Sequence, residues 1–310
     1  MPAYHRRAPW AAGLTICLLV VLPACATGPG AAAPSPADTA APTVEQLRDA
    51  VVQGIYAGKT ISLRNGAYEG APFMPGGASR PQVTLLEGLT ATGDLNGVAG
   101  AERVALLAES SGGTGVNVYL ALVSQRGSEP VNIGTALVGD RVQLRGLDIR
   151  DATIMLDVLR PGPQDAMCCP TELARLTYRF DKAGLTLSSS VVTGHMSLTA
   201  LAGAEWTLEE IDGVPLATGA QPPTLRIEGG SASGFGGCNR YSGPVTASAP
   251  GKIAFGNLAA TRMACIGAQM DLEGEFFQQL SRVEACSFLE GRLALRWSDG
   301  PHNGLLLFRR

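Results

Sequence analysis

The chain has 310 residues, 45% of them hydrophobic, with a formal net charge of −3. Such a length accommodates two ordinary domains, and the apolar fraction is enough to bury real cores. Only three lysines (Lys59, Lys182, Lys252) stand beside many arginines, and no basic stripe forms, which argues against nucleic acid as a partner.

The N-terminus carries Arg6 and Arg7, then an apolar run from Ala11 to Val21, then Leu22-Pro23-Ala24-Cys25. The run is shorter than the ~20 residues a permanent membrane helix needs, and a basic head followed by an apolar core is the layout of an export signal. Its ending resembles the lipobox of bacterial lipoproteins, with Leu at −3 and a small residue before the Cys; Pro23 departs from the usual pattern. The resemblance implies cleavage after residue 24 and a lipid on Cys25, whereas a secreted protein with an incidental Cys25 is the plain alternative. A single acyl chain holds a bilayer only weakly and two hold it durably. Residues 25–42, rich in Ala, Pro and Gly, read as the anchor and a flexible spacer. The expected location is the cell envelope, on the periplasmic or extracytoplasmic face of a membrane, and on the outer membrane if the cell has one.

Thr43 and Gln46 have the spacing of a capping box. Val44, Leu47, Val51 and Ile55 then fall at helical intervals, which predicts a helix over 44–56 ended by Gly58. Strands are predicted at 61–63, 83–86, 102–108, 116–123, 141–147, 152–159 and 176–180, with an Asn65-Gly66 turn after the first. The 39 Gly and 20 Pro of the chain separate many such short runs, so the body is expected to be mainly β, with an antiparallel sheet and an N-terminal helix over 43–198. Ser188-Ser189-Ser190 and the region up to Gly203 hold the expected boundary to a second domain, 201–310.

That second domain reads as strands at 206–208, 224–227, 253–255, 293–295 and 305–308, with an Asp212-Gly213 turn. Leu272, Phe276, Leu280 and Val283 mark a single late helix. Trp206-Thr207-Leu208, Gly237-Cys238-Asn239-Arg240-Tyr241, and Thr261-Arg262-Met263-Ala264-Cys265 together resemble the META domain, the HslJ-like family of heat-shock-associated envelope lipoproteins. The resemblance covers about 201–310. It implies a small antiparallel, incompletely closed β-barrel with one helix, and no defined catalytic activity.

Cys238 and Cys265 are open to three readings: a disulfide, a metal pair or buried thiols. Metal binding calls for further Cys or His at short spacing, and beyond the signal only His195 and His302 occur, each alone. A disulfide is favoured in an oxidising compartment. Asn239 and Arg240 have two readings. Arg240 on a turn can clamp an anion in its planar fork; alternatively Asn239 satisfies turn backbone while Arg240 pairs with Glu273 or Glu275, the more common arrangement in Gly-rich turns.

Cys168-Cys169 can form a labile vicinal disulfide with a redox role, or take separate partners, Cys286 among them. A catalytic thiol would need a base, and His195 is the nearest in sequence. Asp94, Asn96 and Glu102 resemble a degraded calcium loop, but Val98 offers no ligand oxygen and the terminal bidentate Glu is missing, so a tight Asx turn is favoured. No nucleophile elbow, phosphate loop or His-Glu-x-x-His pair occurs. The expected function is non-enzymatic: an envelope lipoprotein without cofactor or metal, held to a membrane through Cys25, that supports binding of a peptide, lipid or small apolar ligand or envelope integrity under stress. The alternative is a thiol-dependent redox protein or enzyme using Cys168 and Cys169.

Overall fold

The computed structural model describes residues 40–310 except Ala99, Met167, Cys168 and Ile266. Cys25 and the rest of the expected signal and spacer up to residue 39 therefore lie outside the described residues. The described residues fall within one compact unit.

Helix α1 covers Val44–Arg48 and opens with the expected capping box, since Thr43 and Gln46 exchange side-chain and backbone hydrogen bonds. It stops eight residues short of the predicted end. Val51–Gln53 is instead strand β1, paired antiparallel with β2, Thr60–Ser62. The helical spacing was coincidental: Val52, which broke it, is the buried residue, and Val51 is exposed. Paired β-branched residues favour the extended chain.

Nine further strands complete the first half: β3 Ala67–Glu69, β4 Gln82–Gly93, β5 Glu102–Ser110, β6 Asn117–Arg126, β7 Glu129–Asp140, β8 Gln143–Arg150, β9 Thr153–Arg160, β10 Glu172–Asp181 and β11 Gly184–His195. All pair antiparallel, in two sheets with the orders β3-β4-β5-β6-β7 and β11-β10-β9-β8. Val104, Leu106, Leu120 and Leu122 face Ile154, Leu156, Val158 and Leu176 in the core between them. The intervening residues Ala105, Leu107, Ala121 and Val123 face the other way, onto Leu47, Val52, Ile61 and Leu63. β5 and β6 are thus buried on both faces, which is why they read as continuous apolar runs. Ser188, Ser189 and Ser190 lie inside β11, two of them in register with Thr177 and Leu176. The Asn65-Gly66 turn is present, with φ of 51° and 78°, values that Asn and Gly tolerate and β-branched residues do not.

After a short helix α2, Leu198–Leu201, the second half adds β12 Glu205–Ile211, β13 Val214–Pro215, β14 Thr224–Glu228, β15 Ser231–Phe235, β16 Arg240–Ala249, β17 Lys252–Phe255, β18 Ala259–Ala260, α3 Ala268–Leu280, β19 Val283–Leu289, β20 Arg292–Asp299 and β21 His302–Arg309. The expected incompletely closed barrel is not what forms. The sheet runs β12-β14-β15-β16-β17-β19-β20-β21 and returns to β12, a closed barrel of eight strands. Its seam is the pairing of first and last strands, from Thr207↔Arg309 to Ile211↔Leu306. The narrowest join, β17 to β19, holds by Lys252↔Ala285 and by the Cys286 N–H donating to the Gly251 carbonyl at 2.9 Å. Closure satisfies backbone groups that an open edge would leave unpaired. The interior is filled by Trp206, Leu208, Leu225, Phe276, Leu295 and Phe308 among others.

The two halves are in contact. The Gly291 N–H donates to the Leu144 carbonyl at 2.9 Å, and the Phe288 N–H donates to Gln143 Oε1 at 2.9 Å. Glu290 Oε2 accepts the Gly88 N–H at 2.6 Å, and the Arg145 guanidinium lies 4.8 Å from the centre of the Phe288 ring.

Candidate functional site

The turn after β15 is built around two buried polar side chains. Asn239 Oδ1 accepts from the Met263 N–H at 2.7 Å and from Thr261 Oγ1 at 2.8 Å, while its Nδ2 donates to Glu273 Oε1 at 2.8 Å. Glu273, on α3, takes the Cys238 N–H at 3.0 Å and the Asn239 N–H on its other oxygen. Both side chains are buried, so each bond is made away from water, where an unmade one would be costly. A Cβ at Gly236 would sit 2.7 Å from the Phe277 ring and 2.8 Å from Glu273; glycine there lets α3 approach. Cys238 and Cys265 form a disulfide with Cα atoms 6.0 Å apart, which ties the same turn to the Thr-Arg-Met segment. A loop of this size contributes about 3–4 kcal/mol by restricting the unfolded chain.

The fold thus fixes the backbone on which Arg240 begins β16. Glu273 is not the partner of Arg240, as the sequence suggested; it is taken up by Asn239 and by the Cys238 backbone. Glu275 instead accepts from Gln279 Nε2 at 3.4 Å. Among the described residues Arg240 forms no ion pair. It lines an open cleft of about 660 Å³ together with Glu205, Pro222, Thr224, Phe235 and Met263. Met263 is 57% exposed and gives the cleft an apolar surface. The lining combines one free guanidinium, one carboxylate, several hydroxyls and an apolar patch. Sequence reasoning found Arg240 but not Glu205, Phe235 or Met263; Met263 alone had a visible signal, its place in the Thr-Arg-Met motif.

The META domain family matches residues 199–309. The C-terminal third of the chain has a META-domain fold. Two solved NMR structures are similar to part of the chain. One is 24% identical over 37% of this chain and 94% of its own, with a TM-score of 0.31. The other, from Burkholderia xenovorans, is 27% identical over 36% of this chain and 86% of its own, with a TM-score of 0.29. No curated protein matches the chain.

Outside the META barrel, the suspected calcium loop is held by protein donors. Asp94 Oδ1 accepts the Gly97 N–H at 2.8 Å, an Asx turn, and Asn96 Oδ1 accepts the Val98 N–H at 2.6 Å. Glu102 accepts from Asn96 Nδ2 at 2.6 Å and from the Leu95 N–H at 2.8 Å. Among the described residues no group of three His, Cys, Asp or Glu is placed to hold a metal ion, and no helix is long and apolar enough to cross a membrane.

Cys169 is disulfide-bonded; Cys168 lies outside the described residues. Cys286, suggested as a partner for that pair, is a free, buried thiol whose pKa burial pushes up to about 12. The fold does bring His195 to the loop, opposite Glu172 in the β10–β11 register. Asp165 closes that loop by accepting the Gly162 and Thr171 N–H groups, each at 2.7 Å. The Gly162 N–H above all, with Thr171 and nearby His195 adding to it, holds the Asp165 carboxyl below the usual range.

Proposed function

We propose that this chain is an exported lipoprotein, tethered through Cys25 in the cell envelope, whose META domain binds short peptide segments ending in a carboxylate and performs no chemistry on them. Residues 43–198 and 201–310 serve as two domains, the first a support for the second. The observation that carries the reading is the guanidinium of Arg240, fixed at its backbone and without an ion pair among the described residues, in a cleft with hydroxyls and the exposed apolar surface of Met263. A guanidinium fork matches a carboxylate, hydroxyls match peptide amides, and Phe235 with Met263 suits an apolar side chain. The interior of a closed, filled barrel offers no such room. The Cys238–Cys265 bridge supports export, because disulfides persist in oxidising compartments.

The test has two parts. Metabolic fatty-acid labelling should mark the protein and be lost on Cys25→Ser. Fluorescence titration with a tetrapeptide should show binding that falls about tenfold in Arg240→Ala, roughly 1.4 kcal/mol, and equally for the amidated peptide. Labelling of Cys25→Ser removes the anchor; equal binding of acid and amide removes the site. A second reading, thiol–disulfide exchange at Cys169, draws on one observation, the closeness of His195 and Asp165 to its loop. Multiple turnover of a disulfide substrate, lost in Cys169→Ser with the fold intact, would promote it.

A further inference from the structure

A second open cleft lies outside the META domain. It measures about 1070 Å³ and opens on the first half, lined by Asn96, Ser124, Gln125, Asn132 and Phe180 with Arg126 and Lys182 at its rim. Its polar side chains are held in place from behind. Asn132 Nδ2 donates to the Leu122 carbonyl at 3.1 Å and to the Gly134 carbonyl at 2.9 Å, and its Oδ1 accepts the Gln53 N–H at 3.1 Å. Asn96 is fixed by the buried Glu102, whose other oxygen takes the Leu95 N–H. Ser124 Oγ donates to Glu102 as well, at 3.3 Å.

One atom breaks the pattern. Gln125 Nε2 donates to the Gly127 carbonyl at 3.0 Å, yet Gln125 Oε1 is buried and accepts no hydrogen bond among the described residues. A buried acceptor left unmade costs on the order of 1–3 kcal/mol, and here it belongs to a residue that lines the cleft.

The lining fits one chemical class. Asn96 keeps a second N–H and a lone pair, Gln125 keeps its second Nε2–H, the Ser124 hydroxyl keeps its lone pairs, and Phe180 offers an aromatic surface. A polyhydroxylated ring has hydroxyls that both donate and accept, and a C–H face that packs on an aromatic ring. A purely apolar ligand would leave that spare capacity of Asn96, Gln125 and Ser124 dry. A phosphate is disfavoured because Arg126 and Lys182 share the cleft with Asp181 and Glu102.

We propose that this cleft is a saccharide-binding site, separate from the peptide cleft of the META domain. The experiment is isothermal titration of the whole protein, kept in a non-glycosidic detergent, with cellotetraose, maltotetraose and chitotetraose, and with inorganic phosphate as a separate arm. At least one tetrasaccharide should bind with a dissociation constant below a few millimolar. Gln125→Ala and Phe180→Leu should each weaken it at least fivefold, and Arg240→Ala should leave it unchanged. Thermal melts of the variants establish that the fold is retained; Gln125→Ala removes an unsatisfied group and is expected to melt no lower than the parent. Absence of binding by all three tetrasaccharides overturns the proposal. So does binding that neither folded variant weakens, or binding of phosphate alone.

Discussion

Each polar atom of the Asn239 side chain is engaged in the fold, bridging the Thr-Arg-Met segment to Glu273 on α3. Asn239→Ala would strand the Met263 N–H and one Glu273 oxygen in a buried setting, so the variant should lose about 2–3 kcal/mol in urea denaturation. A loss below about 0.5 kcal/mol would show that water enters and replaces the bonds. Cys286 gives a pH-dependent case. Burial raises its thiol to about 12, above an unfolded value of ~8.5. Its contribution to stability is therefore complete below about pH 8.5 and lost as pH rises toward 12. Peptide mapping after iodoacetamide treatment at pH 8.5 should find Cys286 unmodified in native protein and modified in urea; rapid native modification would contradict its burial. The disulfide between Cys238 and Cys265 could be read in the sequence, because compartment and motif both pointed to it. That Arg240 would lack the expected Glu273 could not, since only the packing of α3 brings Glu273 to Asn239 and the Cys238 backbone instead.

At the scale of elements, the strands that sequence reading found are those with strong apolar runs, such as β5 and β6. Those it missed carry weak signals for identifiable reasons. β11 is exposed along most of its length and holds three serines, so no apolar alternation marks it. β7 is half-buried without a regular period. Closure of the barrel was invisible because the β12–β21 seam joins residues about a hundred positions apart, and periodicity is a local property. One end of that seam is held by Asp212, whose Oδ1 accepts the Leu305 N–H at 2.7 Å and Trp297 Nε1 at 3.0 Å. A Cβ at Gly304 would fall 1.9 Å from the same oxygen. Gly304→Ala should consequently cost at least about 1–3 kcal/mol through overpacking, read as a lower thermal midpoint. An unchanged midpoint would mean the seam is looser than described.

At the scale of the molecule, the two halves share more than a boundary. Leu159 and Leu173 of the first half belong to the same core cluster as the barrel residues, and Phe288 of the barrel packs under Arg145. Residues 201–310 produced alone should still unfold cooperatively as a β-rich domain, because most of that cluster is their own. The fragment should be less stable than in the whole chain by a few kcal/mol, at roughly 1.5–3 kcal/mol for each buried Leu lost. A fragment with no cooperative transition would instead make the halves one folding unit.

Backbone-amide NMR of the whole protein tests the proposed peptide-carboxylate site in the META cleft. Adding a free-carboxylate tetrapeptide should shift amides at Glu205, Thr224, Phe235, Arg240, Thr261 and Met263, the cleft lining, while the amidated peptide leaves them nearly in place. Shifts concentrated elsewhere, or the same shifts with both peptides, would contradict it.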